Sequence, residues 1–254
     1  MESLLSIRNL TVAIGGTKII DDVSLDIAPG KIVGLVGGSG SGKTTLGLAI
    51  LRLLPAAMRL TAGQILFAGR DLAQLEGESL RCLRGKDIGM VFQEPLSAFD
   101  PLFTIGSQME ETLAAHTDLN AKVRQARVLE TLRSVEIDDP ARIARSYPHQ
   151  LSGGLRQRAM IAQAIVCRPV LIIADEPISS LDVATQAKIM ALLRKLNQEG
   201  GMTILLIAHD LGMVGGWADH AAVMWQGKIV ESGAVADVLR RPRHEYTKAL
   251  IEAY

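Results

Sequence analysis

Three short stretches of this sequence carry side chains whose types and spacing could do chemistry. They are Gly37-Gly38-Ser39-Gly40-Ser41-Gly42-Lys43-Thr44, Leu151-Ser152-Gly153-Gly154-Leu155-Arg156-Gln157, and Asp175-Glu176. The first fits G-x-x-x-x-G-K-[ST], a loop in which backbone N–H groups cradle phosphates. Its glycines let those N–H groups come close, because no Cβ intervenes and left-handed dihedrals cost little. A helix opening directly after the loop, from about Gly42, adds the positive end of its dipole. Lys43 would reach the β and γ phosphates and the Thr44 hydroxyl would ligate Mg2+; the adjacent Thr45 is counted with the expected nucleotide-binding residues. On its own this pattern fits kinases, GTPases and helicases equally well.

The carboxylate pair narrows the choice. Val170-Leu171-Ile172-Ile173-Ala174 is an apolar strand that delivers Asp175 to Mg2+ and sets Glu176 one residue further on. Beside a dication Asp175 stays ionised, whereas Glu176 is placed to orient or deprotonate an attacking water. An acidic pair at a strand end is usually a solvated turn, and it is the phosphate loop elsewhere in the chain that gives this pair another reading. The third stretch opens an amphipathic helix. Ser152 alone would serve as a helix cap, but paired glycines followed by Gln157 put unsatisfied N–H groups where a second phosphate could be gripped.

The elements that must position these groups are legible around them. Ile32 to Val36 is apolar throughout, as a strand buried on both faces should be, and it leads straight into the glycine loop. Val170 to Ala174 and Ile204 to Ala208 read as further central strands, with helices such as Thr185 to Asn197 between them. The first 30 residues alternate apolar and polar, with Gly15-Gly16 and Pro29-Gly30 as turns, which predicts an antiparallel ribbon. From about Glu94 to Cys167 no β-branched run occurs, and Val128, Leu129, Leu132 and Val135 recur at helical spacing, so a helical lobe is expected there. Short linkers are expected around Asp138-Asp139-Pro140 and Arg241-Pro242.

Composition excludes several classes. Among 254 residues Lys+Arg and Asp+Glu both number 27, so no global field draws in nucleic acid or anionic lipid. Hydrophobic residues reach 48%, but they come in strand-sized bursts well short of the roughly 18–20 residues that span a bilayer. The start, Met1-Glu2-Ser3-Leu4-Leu5, lacks the basic and apolar regions of a secretory signal, so a cytoplasmic chain is expected. Cys82 and Cys167 have no ligand spacing and are given no role.

Taken in order, the motifs resemble those of the ABC ATPase family over essentially the whole chain. The resemblance implies an α/β P-loop NTPase fold: a RecA-like core with an N-terminal antiparallel β subdomain and an inserted helical subdomain. It implies a single ABC ATPase domain over 1–254, with core and β subdomain at about 1–93 and 168–254 and the helical subdomain at about 94–167. Gln93, after Met90-Val91-Phe92, is similar to the Q-loop glutamine, a catalytic residue and Mg2+ ligand alongside Thr44 and Asp175. Ser179-Ser180-Leu181-Asp182 resembles the D-loop, which would bring Asp182 to the nucleotide, and His209 resembles the switch histidine that acts with Glu176. In the family two such domains face head to tail. Ser152, Gly153, Gly154 and Gln157 of one domain would then close over the phosphate loop of the other, and one chain alone would be inactive.

Gln93 to Thr104, Tyr147-Pro148-His149-Gln150 and His244-Glu245-Tyr246-Thr247-Lys248-Ala249-Leu250 resemble the dipeptide, oligopeptide and nickel importer branch. Leu54-Pro55-Ala56 with Thr61-Ala62-Gly63, and an ending at Tyr254 without a cysteine-containing tail, look closest to nickel-type D subunits. The resemblance thus implies ATP and Mg2+ as cofactors and nickel or short peptides as cargo. It further implies two transmembrane permease subunits, a second ABC ATPase that is a paralogue rather than a copy, a solute-binding protein acting indirectly, and a peripheral place on the cytoplasmic face of the inner membrane. No nucleic-acid partner is expected. A soluble ABC protein working on nucleic acid or ribosomes, and an exporter ATPase, are the alternatives. Ile14 stands where the family usually has an aromatic residue against adenine, so weaker base stacking is expected. His244 lacks partners for a metal and is read as a surface residue.

Overall fold

The computed structural model describes residues 3–179 and 181–253. Among them the strands, in chain order, are β1 Leu5–Ile14, β2 Thr17–Ile27, β3 Ile32–Val36, β4 Met58–Phe67, β5 Arg70–Asp71, β6 Ile88–Val91, β7 Leu171–Asp175, β8 Thr203–Ala208, β9 His220–Trp225 and β10 Lys228–Ala234. They fall into two compact units, one built from the segments up to residue 80 and from 201 onward, the other from 81–200.

The first unit contains two sheets. One is antiparallel, in the order β2-β1-β4-β5. Its ribbon is bent rather than regular: Asn9 takes a positive φ of 45°, and the β1–β2 pairing shifts between Ile7 and Leu10. Such a bulge re-aims side chains, and both Ser6 and Thr11 end up buried where strict alternation would expose one of them. In the other sheet β3 lies parallel to β8 on one side and β9 on the other, with β10 antiparallel to β9. Every residue of β3 and β8 is buried, which is why both read as unbroken apolar runs. The Gln226-Gly227 turn between β9 and β10 has positive φ at both positions, 47° and 78°, as a tight hairpin turn of primed type requires. Gly227 then joins the two sheets to the glycine loop: its carbonyl accepts from Asp21 N–H at 2.9 Å and its N–H donates to the Ser41 carbonyl at 3.0 Å.

The second unit pairs β6 with β7 in parallel and is otherwise largely helical. Its helices include Ile105–His116, Ala121–Ser134, Pro140–Arg145, Gly153–Ile165 and Val183–Gly200. Three of them start on side-chain caps, Thr104 to Ser107 N–H, Asn120 to Val123 N–H and Asp139 to Arg142 N–H. Asp139-Pro140, read from sequence as a linker, is therefore a helix start, with proline where its missing N–H costs nothing. Met109, Leu113, Val128, Leu132 and Ile143 supply the buried core, and Val135 is buried just beyond the helix end as its C-cap.

Candidate nucleotide site

In the first unit the site begins where β3 ends. Pairing of Val36 with Ala208 brings Gly37 and His209 out side by side at the carboxyl ends of adjacent parallel strands, where open α/β sheets bind ligands. Gly37 is confined: a Cβ there would lie 2.1 Å from the Met224 carbonyl oxygen. The chain then loops through Gly40 and Gly42, at φ of 77° and 106°, and enters the helix Lys43–Ile50 with Gly42 as its cap. Lys43 is 5% exposed, and its ammonium donates to the carbonyls of Gly37 (2.8 Å) and Gly38 (2.9 Å) and to Ser41 Oγ (3.4 Å). Ser39, Gly40 and Thr44 are exposed, and Thr45 is half-buried. His209 is half-buried, and the next residue, Asp210, caps the following turn by accepting from Gly212 N–H at 2.7 Å.

In the second unit the parallel register of β6 and β7, with Val91 opposite Ala174, brings Gln93 alongside the end of β7. Gln93 Nε2 donates to Glu176 Oε2 at 3.1 Å. Asp175 is 3% exposed and Glu176 half-buried. Glu176 has a φ of 44°, a left-handed conformation that costs a residue with a Cβ on the order of 1–2 kcal/mol. Ser179 holds it there, its N–H and hydroxyl both donating to the Glu176 carbonyl at 3.2 Å. Strain of this kind gathers at functional sites.

The helix Gly153–Ile165 starts with Ser152 and Gly153 exposed and Gly154 half-buried, and Ser152 makes no side-chain cap bond. The hydroxyl that would ordinarily stabilise its own helix is left uncommitted to that task. Arg156 fixes the preceding turn by donating to the carbonyls of Pro148 (3.1 Å) and Leu151 (2.8 Å). Gln157 lies a turn further in and is 2% exposed. Asp182 is occupied within its own chain, accepting from Thr185 N–H at 3.0 Å and from its hydroxyl at 2.7 Å at the start of Val183–Gly200. Those Thr185 bonds hold its carboxyl below the usual range. Ser180, of the same loop, lies outside the described residues.

Sequence reasoning missed one neighbour of the phosphate loop. Tyr246 accepts a hydrogen bond from Gly38 N–H at 2.8 Å, across 208 residues of sequence. The signal was present in the His244-to-Leu250 stretch, which was noticed as a marker of kinship and not as part of a site. His244 there caps the helix Glu245–Glu252 by accepting from Tyr246 N–H at 3.1 Å. Ile14, at the ribbon's end, is 37% exposed.

The family model described as ABC transporter matches residues 20–179. A peptidoglycan transport ATP-binding protein of Agrobacterium fabrum is 47% identical over 99% of this chain, and the chain spans 47% of that protein's length. A dipeptide transport ATP-binding protein of Haemophilus influenzae is 44% identical over 99% of the chain and 77% of its own length. Among solved structures, an ATP-binding cassette captured as a dimer in a post-hydrolysis state with ADP and phosphate superimposes with a TM-score of 0.80 at 31% identity, covering 91% of this chain and 98% of that one. The fold is thus the α/β P-loop NTPase fold of ABC ATPases. A matched family model over more than half the sequence, and relatives this similar over nearly all of this chain, show that the chain belongs to the ABC transporter family and carries its ATP-binding domain.

Proposed function

We propose that this chain is the ATP-hydrolysing subunit of an importer for short peptides, working as one of two cassettes that drive two transmembrane permease subunits. The observation that carries the reading is the bare helix start at Ser152-Gly153, with half-buried Gly154 behind it: exposed donors, not spent on capping, suit the phosphates of a nucleotide held by a second cassette. The dimeric cassette with ADP and phosphate supports the same arrangement. Lys43 leaves its carbonyl partners for the β and γ phosphates, and the loop N–H groups hold the rest of the chain of phosphates. Glu176, steadied by Gln93, orients the attacking water, and His209 supports the γ-phosphate end. Thr44, Gln93 and Asp175 offer hydroxyl, carboxamide and carboxylate oxygens, the hard donors that suit Mg2+. When bound there, Mg2+ would neutralise charge building on the transferred phosphate.

Peptide cargo is favoured by the relatives, whose names specify dipeptide or peptidoglycan transport. No helix among the described residues is long and apolar enough to cross a membrane, so a membrane role requires permease partners and a peripheral seat on the cytoplasmic face. A solute-binding protein outside would deliver cargo, and the second cassette is a paralogue. Glu176→Gln in the assembled transporter should leave ATP binding and dimer closure intact while hydrolysis falls by orders of magnitude. Unchanged turnover would remove Glu176 from the mechanism. Uptake of labelled dipeptide and of labelled nickel in a strain lacking this chain separates the two cargo classes, loss of nickel uptake alone overturning the peptide assignment. Recovery with ribosomes or DNA instead of permeases would overturn the transporter reading altogether.

A further inference from the structure

The hydrogen bonds at the phosphate loop converge on one peptide unit, that joining Gly37 to Gly38. Its carbonyl accepts from the Lys43 ammonium at 2.8 Å, and its N–H donates to the Tyr246 hydroxyl, also at 2.8 Å. Gly38 admits that hydroxyl because it has no side chain: a Cβ would stand 3.1 Å from the Tyr246 oxygen. Tyr246 itself is well fixed. Its ring stacks on Trp225 with centroids 5.4 Å apart and planes 22° from parallel, its N–H is taken by His244 Nδ1, and Thr247 beside it is fully buried. The backbone leading into this helix is pinned as well, since Arg243 and His244 N–H groups donate to the Glu231 carboxylate at 2.9 and 3.0 Å.

We infer that Tyr246 is a positioning residue of the nucleotide site, holding the Gly37–Gly38 peptide in place when Lys43 gives up its carbonyl partners for the phosphates of ATP. Without that hold, the departure of Lys43 would free the peptide to turn, and the loop would lose part of the shape that receives phosphate. The C-terminal helix thereby becomes part of the nucleotide site although it supplies no group to the nucleotide. The inference rests on ATP binding at this loop.

The test uses the full chain and MgATP, titrated calorimetrically into wild type, Lys43→Ala and Tyr246→Phe, the last losing only the hydroxyl and keeping the ring on Trp225. In a Trp217→Phe background Trp225 is the sole tryptophan, and its emission reports on the stacked ring during the same titration. Tyr246→Phe should weaken MgATP binding between about three- and tenfold, the reach of one hydrogen bond, and should alter the emission change at saturation. A tyrosine that merely props up the fold would lower the nucleotide-free unfolding midpoint and leave affinity and saturated emission change alone, which overturns the inference. Tighter binding in Tyr246→Phe overturns it too, since the contact would then oppose nucleotide. If Lys43→Ala binds MgATP as wild type does, the nucleotide reading itself falls and takes this inference with it.

Discussion

Replacing Gly37 with alanine tests whether the loop's shape is set by steric contact with the sheet or by glycine's backbone freedom. Gly37 does not have a positive φ, so alanine brings no dihedral strain there, and the whole effect must come from its new methyl group. That methyl would sit 2.1 Å from the Met224 carbonyl oxygen and 2.9 Å from Ser41 Oγ. Opening the first contact to a tolerable 3.0 Å means parting the loop from β9 by about 0.9 Å, against backbone that cannot rotate aside as a side chain would. Overpacking of this kind costs about 1–3 kcal/mol, and a displacement near 1 Å at a reacting group lowers turnover by about 10²-fold. Gly40→Ala is the complement: its φ is 77° but nothing lies within 4 Å of a Cβ, so it should lose only the ~1–2 kcal/mol of a left-handed alanine. MgATP turnover of the assembled transporter, with urea unfolding of the chain, measures both variants. Wild-type turnover and stability in Gly37→Ala would refute the reasoning, and so would a Gly40→Ala variant with the larger loss in turnover.

Gln93→Ala removes the donor to Glu176, and MgATP turnover of the assembled transporter should fall by at least about 10- to 100-fold, the worth of a hydrogen bond to a charged group. Arg158 is buried and donates to the Val135 carbonyl at 2.7 Å and Glu136 at 3.0 Å, so Arg158→Leu should lower unfolding free energy by about 1–3 kcal/mol in a urea titration. Burial pushes the Glu231 carboxyl up, but the backbone N–H groups of Arg243 and His244, with the charge of Arg243, help hold it below its usual 4.5. A depressed carboxyl stabilises the fold above its unfolded value and loses that contribution as pH falls through its folded one. The stability advantage of wild type over Glu231→Gln should therefore hold at neutral pH and shrink below about pH 4.5 in urea titrations run across that range.

What could be read from the sequence was whatever the chain writes contiguously. The glycine loop, the apolar strand ahead of Asp175 and the serine-glycine helix start are each written within a few residues, so type and spacing sufficed to place them on a loop, a strand and a helix start. β3 and β8 were legible because burial on both faces leaves an unbroken apolar run. β4 was not: residues 58–64 are exposed or half-buried, and without a buried face it shows no period to count. The bulge at Asn9 hid in an apparently regular alternation. The left-handed conformation of Glu176 has no signal in a glutamate, and the Tyr246 contact joins residues too far apart for any local pattern to show.

Hairpin turns at a protein's surface are ordinarily where a chain tolerates an inserted residue, an epitope or a fluorescent label. The turn at Gly227 should not be used that way. Each of its two main-chain groups is engaged with a different neighbour, the ribbon through Asp21 and the phosphate loop through Ser41, and a Cβ would meet the Ile19 carbonyl at 2.6 Å. An insertion there would alter a remote surface turn and cut the ribbon loose from the loop at once. For anyone reshaping this cassette, that corner belongs with the interior despite its position in the chain.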